Sequence, residues 1–418
     1  MHEKEPLIDL KDTYFGLTIS AHIAAFYNKS LPSFIKKIGK PYFFDPMTYF
    51  FATNLENIKK NGRIKKSFQK YFEYFDDRIR SIIELREFIP KDFQRENNEL
   101  LLLFVKNILD FQIDIMKMET GKKDKTIASS LDRYQQILQR KTISPDTQTL
   151  GPLFLTAPYF YFQTLEDSWY DLSLQMARTA KDNKGTYELY PIICFSKELL
   201  LDDDAITKLI EDYQEFDGVI LWVSNFDEKN ETTLFLKQFS KMVKNFAATK
   251  KPVYNLYGEY FSLLLNKEGL NGYSRGIAVS EKRDVEASTT GGGQPERYYM
   301  PFLHIHASKT FATMFYSDHP ELLCNCIVCN RIRGKLGINK VSEGKKIELF
   351  FGDFNYILDA KKHFMITHKN EINDIDNLNI EEIRTMLTKK ISSSTNFKLN
   401  LYNLTNNHFL RWMQSVVT

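Results

Sequence analysis

The fold of this chain is indicated most clearly by the stretch FDGVILWVSNFDE (residues 216–228). An uninterrupted apolar segment runs from a glycine into polar and acidic residues, which is the pattern of a parallel strand buried on both faces. Similar apolar runs occupy residues 13–20, 40–51, 151–162, 187–196, 251–260 and 272–281, and residues 298–308 are a candidate eighth run. Amphipathic stretches separate most of them. Seven or eight strand–helix units predict an α/β fold built on a closed (β/α)8 barrel of the TIM type rather than an open doubly wound sheet.

Helical periodicity replaces this alternation in two parts of the chain. Residues 55–148 predict a helical insertion between the start of the barrel (1–54) and its remainder (149–315). After the barrel we predict a metal-binding segment (316–372) and a helical tail (373–418).

The net charge and hydropathy of the sequence bear on whether the protein binds nucleic acid, is secreted or spans a membrane. The formal net charge of +3 does not by itself indicate a nucleic-acid partner, although basic residues cluster in KKNGRIKKSFQK (59–70) and NRIRGK (330–335). Such clusters are typical either of a nucleic-acid contact or of solvated helix faces. MHEKEPLIDLKD (1–12) lacks the apolar core of a signal peptide, and no apolar run has transmembrane length. We therefore expect a cytoplasmic protein that does not contact a membrane.

Three of the four cysteines lie within six positions, as the C-x-C-x-x-C run of Cys324, Cys326 and Cys329. Three thiols this close cannot pair off as disulfides, whereas thiolates at this spacing can surround one tetrahedral Zn²⁺ ion. The spacing therefore predicts a zinc site that needs a fourth ligand further along the chain. Because four protein ligands leave no position for water, the zinc is expected to be structural.

The predicted strand–helix alternation is followed by C-x-C-x-x-C and by a helix that carries histidine. This order of elements resembles that of the queuine/archaeosine tRNA-guanine transglycosylases and of their relatives, the DNA-acting 7-deazaguanine transglycosylases. The resemblance spans roughly residues 38–370. It implies a zinc-containing barrel that breaks the N-glycosidic bond of a guanine and installs another base, and it would allow a homodimer. PYFFDPMTYFF (41–51) is similar to the family strand that ends in Asp-Ser-Gly-Gly-Phe, which implies that Asp45 contacts the base. The alternative is an aspartate that forms the turn before Pro46. In the stretch 216–228 the family glycines are absent, and Glu228 is the best match to the family's acidic residue.

The resemblance also implies the fourth zinc ligand. ILDAKKHFMITHKNEI (357–372) is similar to the family helix that supplies a histidine, and this similarity points to His363. The connection from Cys329 to His363 is longer than in the family. His368, His319 and Asp353 therefore remain alternatives.

The main departure from the family concerns the nucleophile. The family carries a nucleophilic aspartate on its last barrel strand, whereas GLNGYSRGIAVSEKRDV (269–285) has no aspartate before Asp284. This difference favours hydrolysis over base exchange, with a carboxylate that activates water. Glu281 is the candidate for that carboxylate and Arg283 for a phosphate contact, because both fall at the rim where barrel catalytic residues collect. Glu259, like Glu228, is a weaker alternative to Glu281.

RYYMPFLHIHAS (297–308) adds candidate substrate contacts. Period two on a strand would place His304 and His306 on one face, where they could contact phosphate or protonate a leaving base. The alternative is that both are structural histidines whose ring nitrogens have hydrogen-bond partners within the protein. Tyr298 could stack on a flipped base, or it could be a packing residue.

Together these features predict an enzyme that acts on the N-glycosidic bond of a nucleobase. The leading hypothesis is a DNA glycosylase that flips out and removes a modified base, in a setting of phage defence that the resemblance implies. DNA is expected over tRNA because no separate RNA-binding domain follows the zinc segment. The alternatives are a transglycosylase that inserts a 7-deazaguanine into DNA or tRNA, and an inactive barrel that serves as a nucleic-acid-binding or partner-binding subunit.

Overall fold

The computed structural model describes residues 4–53, 55–94, 99–116, 151–277, 283–287, 296–337 and 347–416. It is a mixed α/β structure. The strands are β1 (Leu17–Ser20), β2 (Tyr42–Asp45), β3 (Lys59–Lys60), β4 (Arg63–Ile64), β5 (Tyr161–Phe162), β6 (Ile192–Ser196), β7 (Val219–Ser224), β8 (Val253–Asn255), β9 (Gly272–Tyr273), β10 (Arg297–Met300) and β11 (Ile305–Ser308).

The helices outnumber the strands. They are α1 (Lys4–Asp9), α2 (Ala21–Phe26), α3 (Leu31–Ile38), α4 (Lys66–Phe72), α5 (Asp77–Leu85), α6 (Lys91–Gln94), α7 (Glu99–Asp114), α8 (Ser168–Asn183), α9 (Asp203–Tyr213), α10 (Thr233–Ala248), α11 (Tyr260–Leu264), α12 (Lys309–Asp318), α13 (Ile327–Lys335), α14 (Ile347–Asp353), α15 (Asp359–Asp376), α16 (Ile380–Thr395) and α17 (Asn407–Val416).

The centre of the structure is a parallel sheet of five strands in the order β5-β6-β7-β8-β9. One helix connects each strand to the next, from α8 to α11, so neighbours in the chain are also neighbours in the sheet. Strands β6 and β7 are buried at every position, which explains why the sequence shows them as continuous apolar runs. The predicted strand–helix alternation is confirmed for this part of the chain.

A second, two-stranded parallel sheet pairs β1 with β2. Two contacts connect it to the larger sheet. The amide of Leu153, upstream of β5, donates to the carbonyl of Tyr42 at 2.7 Å. On the other side, the hydroxyls of Thr18 in β1 and Ser274 after β9 lie 2.6 Å apart.

The strand pairing does not establish the closed eight-stranded barrel that the sequence predicts. Among the described residues, seven parallel strands are divided between two hydrogen-bonded sheets. The prediction that residues 298–308 form an eighth barrel strand is wrong, because β10 and β11 pair with each other as an antiparallel hairpin. Residues 301–304, which include Pro301, form the turn between them.

The predicted insertion is helical where it is described, with α4 to α7 and the short β3–β4 hairpin. It joins the core through aromatic rings, among them Phe51, Phe88, Phe104 and Phe160, which lie 5.5–6.4 Å from their ring partners. The buried side chain of Gln112 on α7 pairs with both the amide and the carbonyl of Thr156. The side-chain amide of Gln112 thus provides hydrogen-bond partners for the backbone of the segment that precedes β5.

The C-terminal part is also helical and packs on the sheet region. The indole of Trp412 on α17 donates to the carbonyl of Glu228 at 2.7 Å. Among the described residues, no helix combines the length and the apolar character that a membrane crossing requires.

Candidate metal centre and active site

The metal centre predicted from the cysteines is assembled in the structure. The ligand atoms of Cys324, Cys326, Cys329 and His363 all lie within 4.8 Å of one another. His363 Nδ1 is 3.3 Å from Cys326 Sγ and 3.5 Å from Cys329 Sγ. A tetrahedral ion with Zn–S and Zn–N bonds of about 2.3 and 2.0 Å would separate sulfur from nitrogen by about 3.5 Å. The two sulfur–nitrogen distances therefore match those around a tetrahedral metal ion, and all four ligand atoms lie close enough together to hold one.

The hydrogen bonds of His363 select the tautomer that binds a metal. Its Nε2 lies 2.8 Å from the carbonyl oxygen of Tyr299, which can only accept, so Nε2 carries the hydrogen. In the neutral imidazole Nδ1 is then the nitrogen without hydrogen, and it lies beside the sulfurs of Cys326 and Cys329. A ligating histidine that donates its other ring N–H to a carbonyl is the usual arrangement around metals in proteins.

Neighbouring residues fix the position of the cysteines. Cys326 is the N-cap residue of α13, and Cys329 lies in the first turn of that helix. The guanidinium of Arg333 donates to the carbonyl of Cys324 at 2.6 Å. The buried ring of Tyr298 stacks on His363 with 4.4 Å between ring centroids, and its hydroxyl lies 3.3 Å from Cys329 Sγ.

The three alternative candidates for the fourth ligand interact with residues outside the cysteine cluster. His368 contacts Tyr273 and Glu371. Asp353 pairs with Lys335, and His319 lies 3.8 Å from a carboxylate oxygen of Glu321. The donor set of three cysteines and one histidine can therefore hold a metal ion with His363 as the fourth ligand.

The second candidate site is centred on Asp45, the last residue of β2, which is 1% exposed. Its Oδ1 accepts hydrogen bonds from the amide of Met47 at 2.9 Å and from the hydroxyl of Tyr159 at 2.8 Å. The contact of Oδ2 with the hydroxyl of Tyr257 is longer, at 3.4 Å. Burial raises the pKa of this carboxyl, while these hydrogen bonds and the charge of Arg283 act in the opposite direction. Oδ2 retains capacity to accept a further hydrogen bond.

Aromatic rings surround Asp45. Trp222 lies in edge contact with Tyr49, Tyr159 and Tyr257, at centroid distances of 4.8, 6.1 and 5.0 Å. Tyr49 and Tyr257 follow strands β2 and β8, Trp222 lies within β7, and Tyr159 lies just before β5. The Trp222 indole N–H is buried and has no hydrogen-bond partner among the described residues. The polar groups of this aromatic enclosure are the Asp45 carboxylate, the Trp222 N–H and the tyrosine hydroxyls, of which those of Tyr159 and Tyr257 contact Asp45.

Arg283 and His22 lie beside this enclosure. The guanidinium carbon of Arg283 is 4.8 Å from the centroid of the half-buried Tyr257 ring. His22, the second residue of α2, stacks on Phe68 with 4.3 Å between centroids. Burial, together with the charges of Arg283 and Lys65, lowers the pKa of His22 to about 4, so this imidazole is neutral at pH 7. Arg283 thus lies near Asp45, and its charge acts on the pKa of that carboxyl.

The sequence predicts that Glu228 contacts substrate, but in the structure its carboxylate binds the backbone at the start of a helix. Its carboxylate accepts from the amides of Glu259 and Ser262, at 2.9 and 3.0 Å, and from the Ser262 hydroxyl. It therefore caps the start of α11. Burial raises the pKa of Glu228 to about 7, and the neighbouring Glu259 acts in the same direction. Glu259 is also buried, at the N-cap of the same helix.

The predicted roles of Tyr298, His304 and His306 do not fit the structure. Tyr298 is fully buried at the metal centre and has no open face for a base. The two histidines do not share a strand face, since His304 lies in the turn before β11 with a φ of 53°. His304 Nδ1 instead donates to Glu371 at 2.6 Å, and His306 Nε2 lies 3.3 Å from a nitrogen of Arg275. Both are structural histidines, but the alternative of fully satisfied rings holds only in part, because the buried atoms His304 Nε2 and His306 Nδ1 have no hydrogen-bond partner among the described residues.

Glu281, the predicted water-activating residue, lies outside the described residues. The side chains that the sequence did not single out are Tyr159, Tyr257, Trp222 and His22. Tyr159 and Tyr257, which contact the Asp45 carboxylate, are separated from it by 114 and 212 residues of chain. Short motifs carry no signal for such contacts.

No protein-family model matches this chain, and no curated protein matches it. The likeness to the transglycosylases therefore depends on the sequence motifs alone.

Proposed function

We propose that this protein hydrolyses the N-glycosidic bond of a nucleobase in DNA, with Asp45 as the carboxylate that recognises the base. The observation that carries the proposal is the enclosure of Asp45 by Tyr49, Tyr159, Trp222 and Tyr257. A purine or 7-deazapurine is a flat heterocycle with N–H donors on its edge. An aromatic enclosure with a carboxylate oxygen, Oδ2, that can accept a hydrogen bond beyond the long contact from Tyr257 is suited to that shape and chemistry.

The position of Arg283 supports the same proposal. Cleavage moves a water oxygen onto C1′ and breaks the bond from C1′ to the ring nitrogen, whose electron pair leaves with the base. One proton of the water is lost and one proton is gained by the departing base. A cation beside the base or the adjacent phosphate stabilises the charge that develops there. Arg283, exposed and next to Tyr257, supplies a cation at this position.

We further propose that the two parallel sheets belong to one barrel of seven strands. The Leu153–Tyr42 bond on one side and the Thr18–Ser274 contact on the other support this interpretation, because they link β1 and β2 to both edges of the larger sheet. In such a barrel the active site lies at the carboxyl ends of the strands, where Asp45 and Ser224 are found. We propose zinc as the metal ion, since thiolate and imidazole ligands in tetrahedral geometry are typical of structural zinc.

Mass spectrometry of released small molecules tests the function. Purified protein is incubated with ordinary DNA, DNA that contains modified bases, and tRNA, each with and without free 7-deazaguanine. We expect a free base and an abasic site from modified DNA without any added acceptor. Release that requires the acceptor would instead identify a transglycosylase, and absence of release from every substrate would contradict both activities.

Two variants connect any activity to the site. Asp45→Asn keeps the shape but replaces the accepting carboxylate with an amide, and we expect base release to fall at least 100-fold, as for loss of one oriented polar contact in other enzymes. Asp171→Asn, at an exposed carboxylate in the first turn of α8, is the matched control. Equal activity of the two variants would exclude Asp45 from the reaction.

A further inference from the structure

We infer that the β3–β4 hairpin and the start of α4 bind the phosphate backbone of DNA and guide it to the Asp45 site. The surface concerned, called the basic hairpin surface below, consists of Lys60, Arg63 and Lys66. This inference extends the proposed function by assigning a substrate-binding surface.

The hairpin has a defined shape. Asn61 and Gly62 both have positive φ, 53° and 71°, as in the two-residue type I′ turn that joins antiparallel strands tightly. The amide of Lys65 donates to the carbonyl of Ile58 at 2.8 Å, and Ile58 is fully buried. The turn is thus anchored at its base and projects its tip into solvent.

The charge of this segment is one-sided. Residues 59–70 contain six basic residues and no acidic residue, in a chain whose formal net charge is only +3. Lys59 and Lys70 have partners in Glu56 and Glu73. The three members of the basic hairpin surface are exposed and form no ion pair with any residue that the structure describes. Cations that remain unpaired in a folded protein are available to a polyanion at little cost.

A surface depression of about 530 Å³ brings these cations together. It is lined by Lys60, Asn61, Arg63, Ile64, Lys65 and Lys66. The depression is open, so it suits an extended backbone that passes across it better than a small enclosed ligand.

Direct contacts connect this surface to the candidate active site. The side chain of Asn57 donates to the carbonyl of Ala287 at 3.1 Å, and the ammonium of Lys65 donates to the carbonyl of Asn57. Ala287 belongs to the described segment 283–287 that begins with Arg283. On the other side, Phe68 in α4 stacks on His22. The hairpin therefore lies beside the segment that carries Arg283, and a strand whose phosphates lie on the hairpin would pass close to that segment.

The test is a binding titration of a fluorescently labelled oligonucleotide, followed by anisotropy over a range of salt concentrations. In the triple variant Lys60→Ala/Arg63→Ala/Lys66→Ala we expect affinity for single-stranded DNA to fall roughly 100-fold at ~0.1 M salt. The slope of log K against log salt should decrease by about 2, because each lost phosphate contact contributes about 0.7 on a single strand. Duplex DNA and RNA of the same sequence serve as parallel probes that identify the preferred nucleic acid.

The matched control is the variant Lys237→Ala/Lys389→Ala/Lys398→Ala, whose lysines are also exposed and have no ion pair among the described residues. Both triple variants lower the formal net charge from +3 to 0. A loss of binding confined to the hairpin variant, with an unchanged thermal midpoint, supports the inference. Equal binding by the hairpin variant and the wild type, or an equal loss in both variants, would overturn it.

The wild-type titration keeps the inference testable if the triple variant does not fold. A wild-type protein that binds none of the oligonucleotides refutes it, and binding to phosphatidylserine vesicles instead would assign the surface to a membrane. Binding is measured without base release, so failure of the proposed reaction does not affect the result. If the wild type releases a base and the hairpin variant binds DNA as the wild type does, the proposed reaction stands and only DNA binding by the basic hairpin surface is refuted.

Discussion

Removal of one metal ligand should abolish the dependence of stability on metal. We choose Cys329→Ala, because Cys329 is fully buried and its sulfur lies 3.5 Å from His363 Nδ1. Loss of this thiolate leaves three ligands, which hold a tetrahedral zinc ion far less tightly than four. The matched control is Cys194→Ala, which removes the other buried cysteine, in β6, and leaves the four ligands intact.

The size of the effect follows from binding linkage. A zinc-binding free energy of about 10 kcal/mol, at the weak end for structural sites, corresponds to a dissociation constant of tens of nanomolar. Free zinc at ~10 µM then stabilises the folded state by about 3 kcal/mol. For 418 residues that unfold together, this shifts the melting temperature by about 4 °C.

The assay is thermal unfolding with and without a chelator, combined with elemental analysis of the purified protein. We expect one zinc per chain in the wild type and in Cys194→Ala, and a chelator-induced fall of the melting temperature in both. Cys329→Ala should contain little zinc and melt at a temperature that the chelator does not change. Wild-type protein without bound metal, or the same chelator effect in all three proteins, would refute the metal site.

Two further predictions concern stability. Gln112→Leu should cost about 2–4 kcal/mol in denaturant unfolding, since it leaves the buried amide and carbonyl of Thr156 unpaired, whereas Gln69→Leu at an exposed position should cost almost nothing. Burial lowers the pKa of His408 to about 3, although the hydrogen bond from its Nε2 to the carbonyl of Leu303 acts in the opposite direction, and its buried Nδ1 has no partner among the described residues. The unfolded state therefore takes up a proton below pH 6.5 that the folded state refuses, and stability should fall by about 2 kcal/mol down to about pH 5. His408→Gln should show a smaller fall over the same pH range, and an equal fall would exclude this histidine as the cause.

The sequence predicted best those elements whose signal is local. The runs that became β6 and β7 are buried at every position, so a continuous apolar pattern was sufficient to find them. The three cysteines were likewise evident from their spacing. His363 lies 34 residues beyond Cys329, and only the resemblance to a helix of known relatives pointed to it.

The errors arose where one pattern fits two structures. HIHAS (304–308) alternates apolar and polar residues, and such alternation is compatible with a strand in a parallel sheet or with one arm of a hairpin. The turn at residues 301–304 places His304 in a left-handed conformation and turns it toward Glu371. Tyr159 and Tyr257 reach Asp45 only through the tertiary fold, so no local motif could have assigned them to its site.

The metal centre and the proposed barrel are connected through one helix. Helix α15 carries the metal ligand His363 and, one turn and two turns later, His368 and Glu371. His368 Nε2 lies 2.6 Å from the hydroxyl of Tyr273 in β9. The next residue, Ser274, makes the contact to Thr18 in β1.

Metal binding should therefore influence the strands at the contact between the two sheets. Tyr299 is held by α15 at two points, since its carbonyl accepts from His363 Nε2 and its hydroxyl donates to Glu371 at 2.7 Å. A metal ion that fixes His363 also fixes the orientation of α15, and with it the position of Tyr273. Because Ser274 follows Tyr273 directly, loss of metal should loosen the Thr18–Ser274 contact before it disturbs the fully buried strands β6 and β7. A structural metal can thus affect the Asp45 site without any contact to the substrate.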